Sequence, residues 1–293
     1  MSSAPNRAGV PAGKSVELPG RGTTWVCEVE GPPGAPVLLL LHGLGATAAL
    51  NWHAVFESLG RHYRVIALDY RGHGRGIRLR GRFRLADCAD DAAALMTVLG
   101  IDHAIAVGYS LGGPVAQLLW HRHRSRVVGL VLCATSRNFR GSSSTRVANV
   151  IFPALVPGLA FGSRLVPAAL RRKLVRDFLA ARIRNPVALE WVFSEIGGHD
   201  LAAIFEAAGS IVRFSSADWI GSVDVPTAVV VTERDQLVSP SAQRKLAHSI
   251  PGATIHPVDG DHGACGFRPR EFTAALLEAC ESVVERGAQR AAG

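Results

Sequence analysis

Between residues 23 and 287, short apolar runs alternate with segments of helical period. PVLLLLHG (36–43) is continuously apolar, as a strand buried on both faces should be. TTWVCEVEG (23–31), YRVIALDYRG (63–72), HAIAVGYS (103–110), VVGLVLCAT (127–135), PTAVVVTERD (226–235) and ATIHPVDG (253–260) read as further strands. Between them, 85–100, 113–123, 239–250 and 269–287 place apolar residues three and four apart, the spacing of a helix with one buried face. The alternation predicts an α/β fold in which a mostly parallel sheet is covered by helices on both faces.

The rhythm breaks at 136–222, which holds several helical patterns and no clear apolar strand. Because the alternation resumes afterwards, a helical insertion into one domain fits better than a separate domain. The expected organisation is a flexible tail over 1–22, a core over 23–135 and 223–287, an inserted helical cap over 136–222, and a short tail over 288–293.

Composition narrows the class. The 293 residues are 48% hydrophobic, enough for one large domain, and no unbroken apolar run reaches the length of a membrane span. MSSAPNRAGVPAGKS, at the start, lacks the apolar centre of a signal peptide, so the expected location is the cytoplasm. Five scattered cysteines without a C-x-x-C pair predict neither a disulfide framework nor a zinc site. The net charge of +8 admits an anionic partner. Nucleic acid is disfavoured, because the basic residues neither alternate with aromatics nor form a known motif.

The chemistry is carried by GYSLG (108–112), where a strand hands over to a helix. A serine there stands clear of the sheet, its small neighbours Gly108 and Gly112 permit the sharp turn, and the helix N-terminus aims donors at it. A hydroxyl needs a base to become a nucleophile. His262, directly after the strand 253–260, reaches the same sheet edge, and Asp235, ending 226–235, is the carboxylate that would orient it. Glu233 is the nearest rival to Asp235. The tetrahedral intermediate would be held by the backbone N–H groups of Leu111 and Leu44, the latter in HGLG (42–45), where Gly43 and Gly45 let the chain approach a substrate. His42 is read as bracing that loop, and the other histidines, His73 and His199 among them, as core or surface residues. A capping serine with no catalytic role is the plain alternative for Ser110.

HGLG (42–45), DYRGHG (69–74), GYSLGG (108–113), ERDQLVSP (233–240) and GDHGA (260–264) together resemble the α/β-hydrolase family, with its motifs in family order across nearly the whole chain. The resemblance implies an α/β-hydrolase fold with a helical cap after the sixth strand, and no metal or organic cofactor. Ser110 at its elbow makes the expected enzyme a serine one. Epoxide hydrolases and haloalkane dehalogenases resemble one another in using aspartate at this elbow. The first expectation is hydrolysis of carboxylic esters through an acyl-enzyme. C–C bond hydrolysis, cofactor-free haloperoxidase or perhydrolase chemistry, and ligand binding with little turnover are the alternatives.

Substrate is hinted at by VANVIFPALVPGLAFGS (147–163), which carries no charge, followed by the basic amphipathic stretch 164–184. Both favour an apolar acyl group. They also raise peripheral contact with anionic lipid as an expectation.

Overall fold

The computed structural model describes residues 9–79, 81–139, 162, 165–181 and 183–292. Their eight strands form one sheet in the order β1-β2-β4-β3-β5-β6-β7-β8. The central strands β3 (Val37–Leu41), β4 (Arg64–Leu68), β5 (Ala104–Tyr109), β6 (Val127–Cys133), β7 (Thr227–Thr232) and β8 (Thr254–Val258) run parallel, while β2 (Gly22–Val29) lies antiparallel to β4 and β1 (Gly13–Leu18) antiparallel to β2. The fold is α/β and mostly parallel, as the alternation predicts.

Strand period explains the two cores. Leu39 and Leu41 on β3, with Ile66 and Leu68 on β4, face one side of the sheet, and Leu38, Leu40, Val65 and Ala67 face the other. On the first side lie α3 (Leu85–Val98), α4 (Gly112–Arg122) and α8 (Pro240–His248), which bury Leu95, Trp120 and Leu246. On the second lie α1 (Ala48–Trp52), α2 (Phe56–Gly60), α9 (Ala264–Phe267) and α10 (Pro269–Ala292), which bury Trp52, Phe56 and Phe272. A sheet covered on both faces needs apolar residues at every strand position, which is why β3 reads as an unbroken apolar run, Val37 followed by four leucines.

The expected tails are corrected at both ends. The 1–22 segment contains β1, paired with β2 from Gly13 opposite Cys27 to Leu18 opposite Gly22. Val16 and Leu18 alternate into the core, and Arg21 ion-pairs with Asp91 of α3. At the other end α10 runs through Gly287 to Ala292 instead of stopping before a tail at 288. Arg286 holds it by donating to the carbonyls of Gly252 at 2.7 Å and Thr227 at 2.9 Å.

The insertion leaves and rejoins the sheet at one place. Asn138 pairs with Ser215 in an isolated antiparallel bridge, and the Ser216 amide donates to the Arg137 carbonyl at 2.8 Å. Its described residues include α5 (Ala168–Ala180), α6 (Pro186–Ile196) and α7 (Leu201–Arg213). Asn185 caps α6 and Asp200 caps α7, each carboxyl or amide oxygen accepting two backbone N–H groups of the first turn. The uncharged stretch 147–163 lies outside the described residues apart from Gly162. No helix among the described residues is long and apolar enough to cross a membrane. All five cysteines are free thiols, four of them buried.

Candidate active site

Ser110 sits between β5 and α4 with φ +52°, a left-handed conformation that costs a non-glycine residue about 1–2 kcal/mol. Three bonds hold it there. Its amide donates to Cys133 O at 2.9 Å, and its carbonyl accepts from Gly113 N at 2.9 Å and Thr135 Oγ1 at 2.8 Å. Crowding explains the flanking glycines: a Cβ on Gly108 would lie 2.3 Å from Gly112 O, and one on Gly112 would lie 2.0 Å from Leu41 O. Gly112→Ala is expected to lower unfolding free energy by about 1–3 kcal/mol through overpacking. Urea titration checks it, and an unchanged midpoint would mean that strand and helix part without cost.

His262 follows β8 and Asp235 follows β7, both on the carboxyl edge where β5 ends. Ser110 Oγ donates to His262 Nε2 at 2.8 Å, and His262 Nδ1 donates to Asp235 Oδ2 at 2.7 Å. Asp235 Oδ1 accepts the amides of Leu237 at 2.8 Å and Val238 at 2.9 Å, while Oδ2 also accepts from Thr232 Oγ1 and Gln243 Nε2. Burial alone would raise this carboxyl, but the bonds from His262 and the Val238 amide outweigh it and hold Asp235 below its usual range. The rival Glu233 is committed elsewhere, in an ion pair with Arg244. Tyr109 OH donates to the His262 carbonyl at 2.7 Å and fixes the backbone of that histidine.

His42 is wholly buried, and its two nitrogens are both engaged by backbone. The Tyr70 amide can only donate, so it fixes Nε2 as acceptor at 3.1 Å, and Nδ1–H must then donate to Gly43 O at 2.8 Å. Burial pushes its pKa down to about 3, so it stays neutral at working pH. Neither nitrogen is free to take a proton from a substrate, and the ring braces the 42–45 loop.

That loop passes directly beside the serine. A Cβ on Gly43 would lie 3.6 Å from Ser110 Cβ, and Gly45 turns the chain at φ +68°. Among the described residues no acceptor takes the N–H of Leu44 or of Leu111. Leu111 opens α4, whose first amides have no partner within the helix. Gly43, Leu44, Asn51, Ser110, His262 and the apolar Phe139, Ile211, Leu237 and Val238 are among the residues lining a pocket of about 390 Å³. Of these, Asn51 escaped notice in the sequence. Its Oδ1 accepts the Gly43 amide at 3.0 Å, yet it lies in a short helix with no motif to mark it. Among the described residues no cluster of three or more His, Cys, Asp or Glu side chains could hold a metal ion.

Comparison with known proteins sets this geometry in a family. Residues 36–269 match the family model described as the alpha/beta hydrolase fold. The chain is 31% identical over 253 residues to the "Magnesium-chelatase 30 kDa subunit" of Rhodobacter capsulatus, covering 81% of this chain and 84% of that protein. It is 37% identical over 281 residues to the "Putative carbamate hydrolase RutD" of Caulobacter vibrioides, covering 87% and 94% of the two chains. In three dimensions it is similar to the crystal structure of the enol-lactonase from Burkholderia xenovorans LB400, with TM-score 0.72, 24% identity, and coverage of 92% of this chain and 100% of that one. The eight-stranded sheet, the elbow between β5 and α4, and the match over most of the sequence have one explanation: the chain belongs to the α/β-hydrolase fold family.

Proposed function

We propose that the protein is a serine hydrolase that cleaves carboxylic esters with apolar acyl groups through an acyl-enzyme. The observation that carries this reading is the unbroken hydrogen-bond line from Ser110 through His262 to Asp235. Ser110 Oγ attacks the ester carbonyl as its proton passes to His262 Nε2. The resulting oxyanion accepts hydrogen bonds from the Leu44 and Leu111 amides. As the C–O bond breaks, His262 returns the proton to the leaving alcohol. Water then gives a proton to His262 and attacks the acyl-enzyme, which collapses to the carboxylic acid and free Ser110. Asp235 stays ionised and holds the imidazole in the tautomer that leaves Nε2 open to the serine.

The apolar pocket wall of Phe139, Ile211, Leu237 and Val238 supports an acyl group rather than a sugar or a charged metabolite. The carbamate hydrolase named among the relatives also points to a carbonyl bonded to a heteroatom. On p-nitrophenyl esters, kcat/KM is expected to rise by up to about 4-fold per added methylene until the pocket is full, and then to fall. Absence of turnover across the series would overturn the ester reading. A binding protein on the same scaffold is the second reading, favoured by a relative whose name assigns it to a chelatase subunit. Stoichiometric acylation of Ser110 without steady-state turnover would select it.

A further inference from the structure

Two side chains of the insertion each reach two loops of the core. Glu195, buried at the end of α6, accepts from Thr47 Oγ1 at 2.7 Å and from Arg75 Nη2 at 2.8 Å. His199, four residues on, accepts from the Gly74 amide at 2.6 Å through Nδ1 and donates to the Gly45 carbonyl at 3.0 Å through Nε2. The tautomer is forced, since an amide N–H can only donate and a carbonyl can only accept. Segment 195–199 therefore stitches 45–47 to 74–75 at four points. Asp69 adds a tie beside them, accepting from the amides of Ala48, next to Thr47, at 2.8 Å and of Arg75 at 2.9 Å.

The two ends of the loop around Leu44 are held differently. On the Gly43 side the core does the work, with Asn51 on the amide and His42 on the carbonyl. On the Gly45 side the residue adopts φ +68° and carries no side chain to pack. Among the described residues its carbonyl has one donor, His199. The Gly45–Ala46 peptide that His199 holds donates through Ala46 N–H to Gly43 O at 3.3 Å, and Gly43 O lies in the planar peptide that carries the Leu44 N–H, so tilting the first peptide turns the second.

We propose that His199 is a positioning residue through which the insertion sets the oxyanion loop: Leu44 N–H is aimed at the reacting carbonyl oxygen only while segment 195–199 is seated on the core. This rests on the acyl-enzyme reading above. It gives the insertion a part in the rate of the chemical step as well as in the shape of the pocket. Loss of one oxyanion donor typically costs 10²–10³ in kcat, so partial misalignment should cost about 10–100-fold.

Glutamine makes the discriminating substitution. Its Oε1 and Nε2 reproduce the acceptor and donor of the imidazole at similar separation, so His199→Gln keeps both bonds, whereas His199→Ala removes both and the shorter His199→Asn cannot span them. The experiment compares kcat and KM per titrated active site on a short p-nitrophenyl ester, together with hydrogen exchange over residues 43–47. His199→Ala is expected to lose about 10–100-fold in kcat with KM within about 3-fold, and to exchange faster at 43–47. His199→Asn should behave like alanine, and His199→Gln should recover both measures. If the alanine variant does not fold, the asparagine and glutamine pair carries the comparison. Equal per-site kcat in all variants, or glutamine no better than the others, overturns the proposal. If the wild-type protein turns over no ester, the hydrolase reading has failed. The latch is then judged by the rate at which a fluorophosphonate labels Ser110, where equal rates in all variants overturn it.

Discussion

Ser110→Ala is expected to lower kcat by at least about 10⁴-fold on any ester that the wild-type protein turns over. The expectation follows from the proposed acyl-enzyme route, in which removal of Oγ leaves no atom to carry the acyl group and His262 with only water to activate. Folding should be indifferent to the change. The Ser110 side chain bonds to His262 alone, while backbone bonds to Cys133, Gly113 and Thr135 keep the residue at φ +52°. A melting temperature within about 2 °C of wild type is expected. Loss of turnover with an unchanged melt would establish the serine as nucleophile. Turnover that survives in the folded variant would remove it from the mechanism.

Asp235→Asn is expected to cost about 10⁴-fold in kcat, almost as much, by a different route. Oδ1 of Asp235 accepts two backbone amides, so the asparagine carbonyl takes that place and its NH₂ falls where Oδ2 faced His262. A donor now meets Nδ1, the ring proton moves to Nε2, and Nε2–H points at Ser110 instead of accepting its proton. The base is present in the wrong tautomer. Stopped-flow rates of Ser110 labelling by a fluorophosphonate should fall in parallel with kcat. A decrease of less than about 10-fold would mean that another group orients His262. Glu233 is a poor substitute, because Arg244 already holds it.

The parts legible in the sequence are those where one residue's neighbours in the chain settle its environment. β3 had to be a doubly covered strand because four consecutive leucines admit no polar face. The elbow declared itself because Gly108 and Gly112 stand where any Cβ would strike backbone. Ser110, His262 and Asp235 could be placed on one edge because each follows a strand, and parallel strands bring their carboxyl ends together. β1 stayed hidden because only Val16 and Leu18 face the core, and its pairing with β2 emerges only in the sheet. Gly287 reads as a helix stop, and distant carbonyls that accept from Arg286 override it. His199 gave no signal at all. Its partners, Gly45 and Gly74, lie more than a hundred residues away, and no periodicity in the 197–200 turn distinguishes a clamp from a surface histidine.

The bridge between Asn138 and Ser215 has a consequence for descent. An insertion whose two ends meet side by side is easy to exchange between lineages, since the sheet need not move to receive a new one. With His199 in the role proposed above, though, an incoming segment would have to bring its own equivalents of Glu195 and His199. A transplanted cap chosen for its pocket alone would deliver a new specificity at a depressed rate. On that reading, what is recognised and how fast it reacts are inherited together.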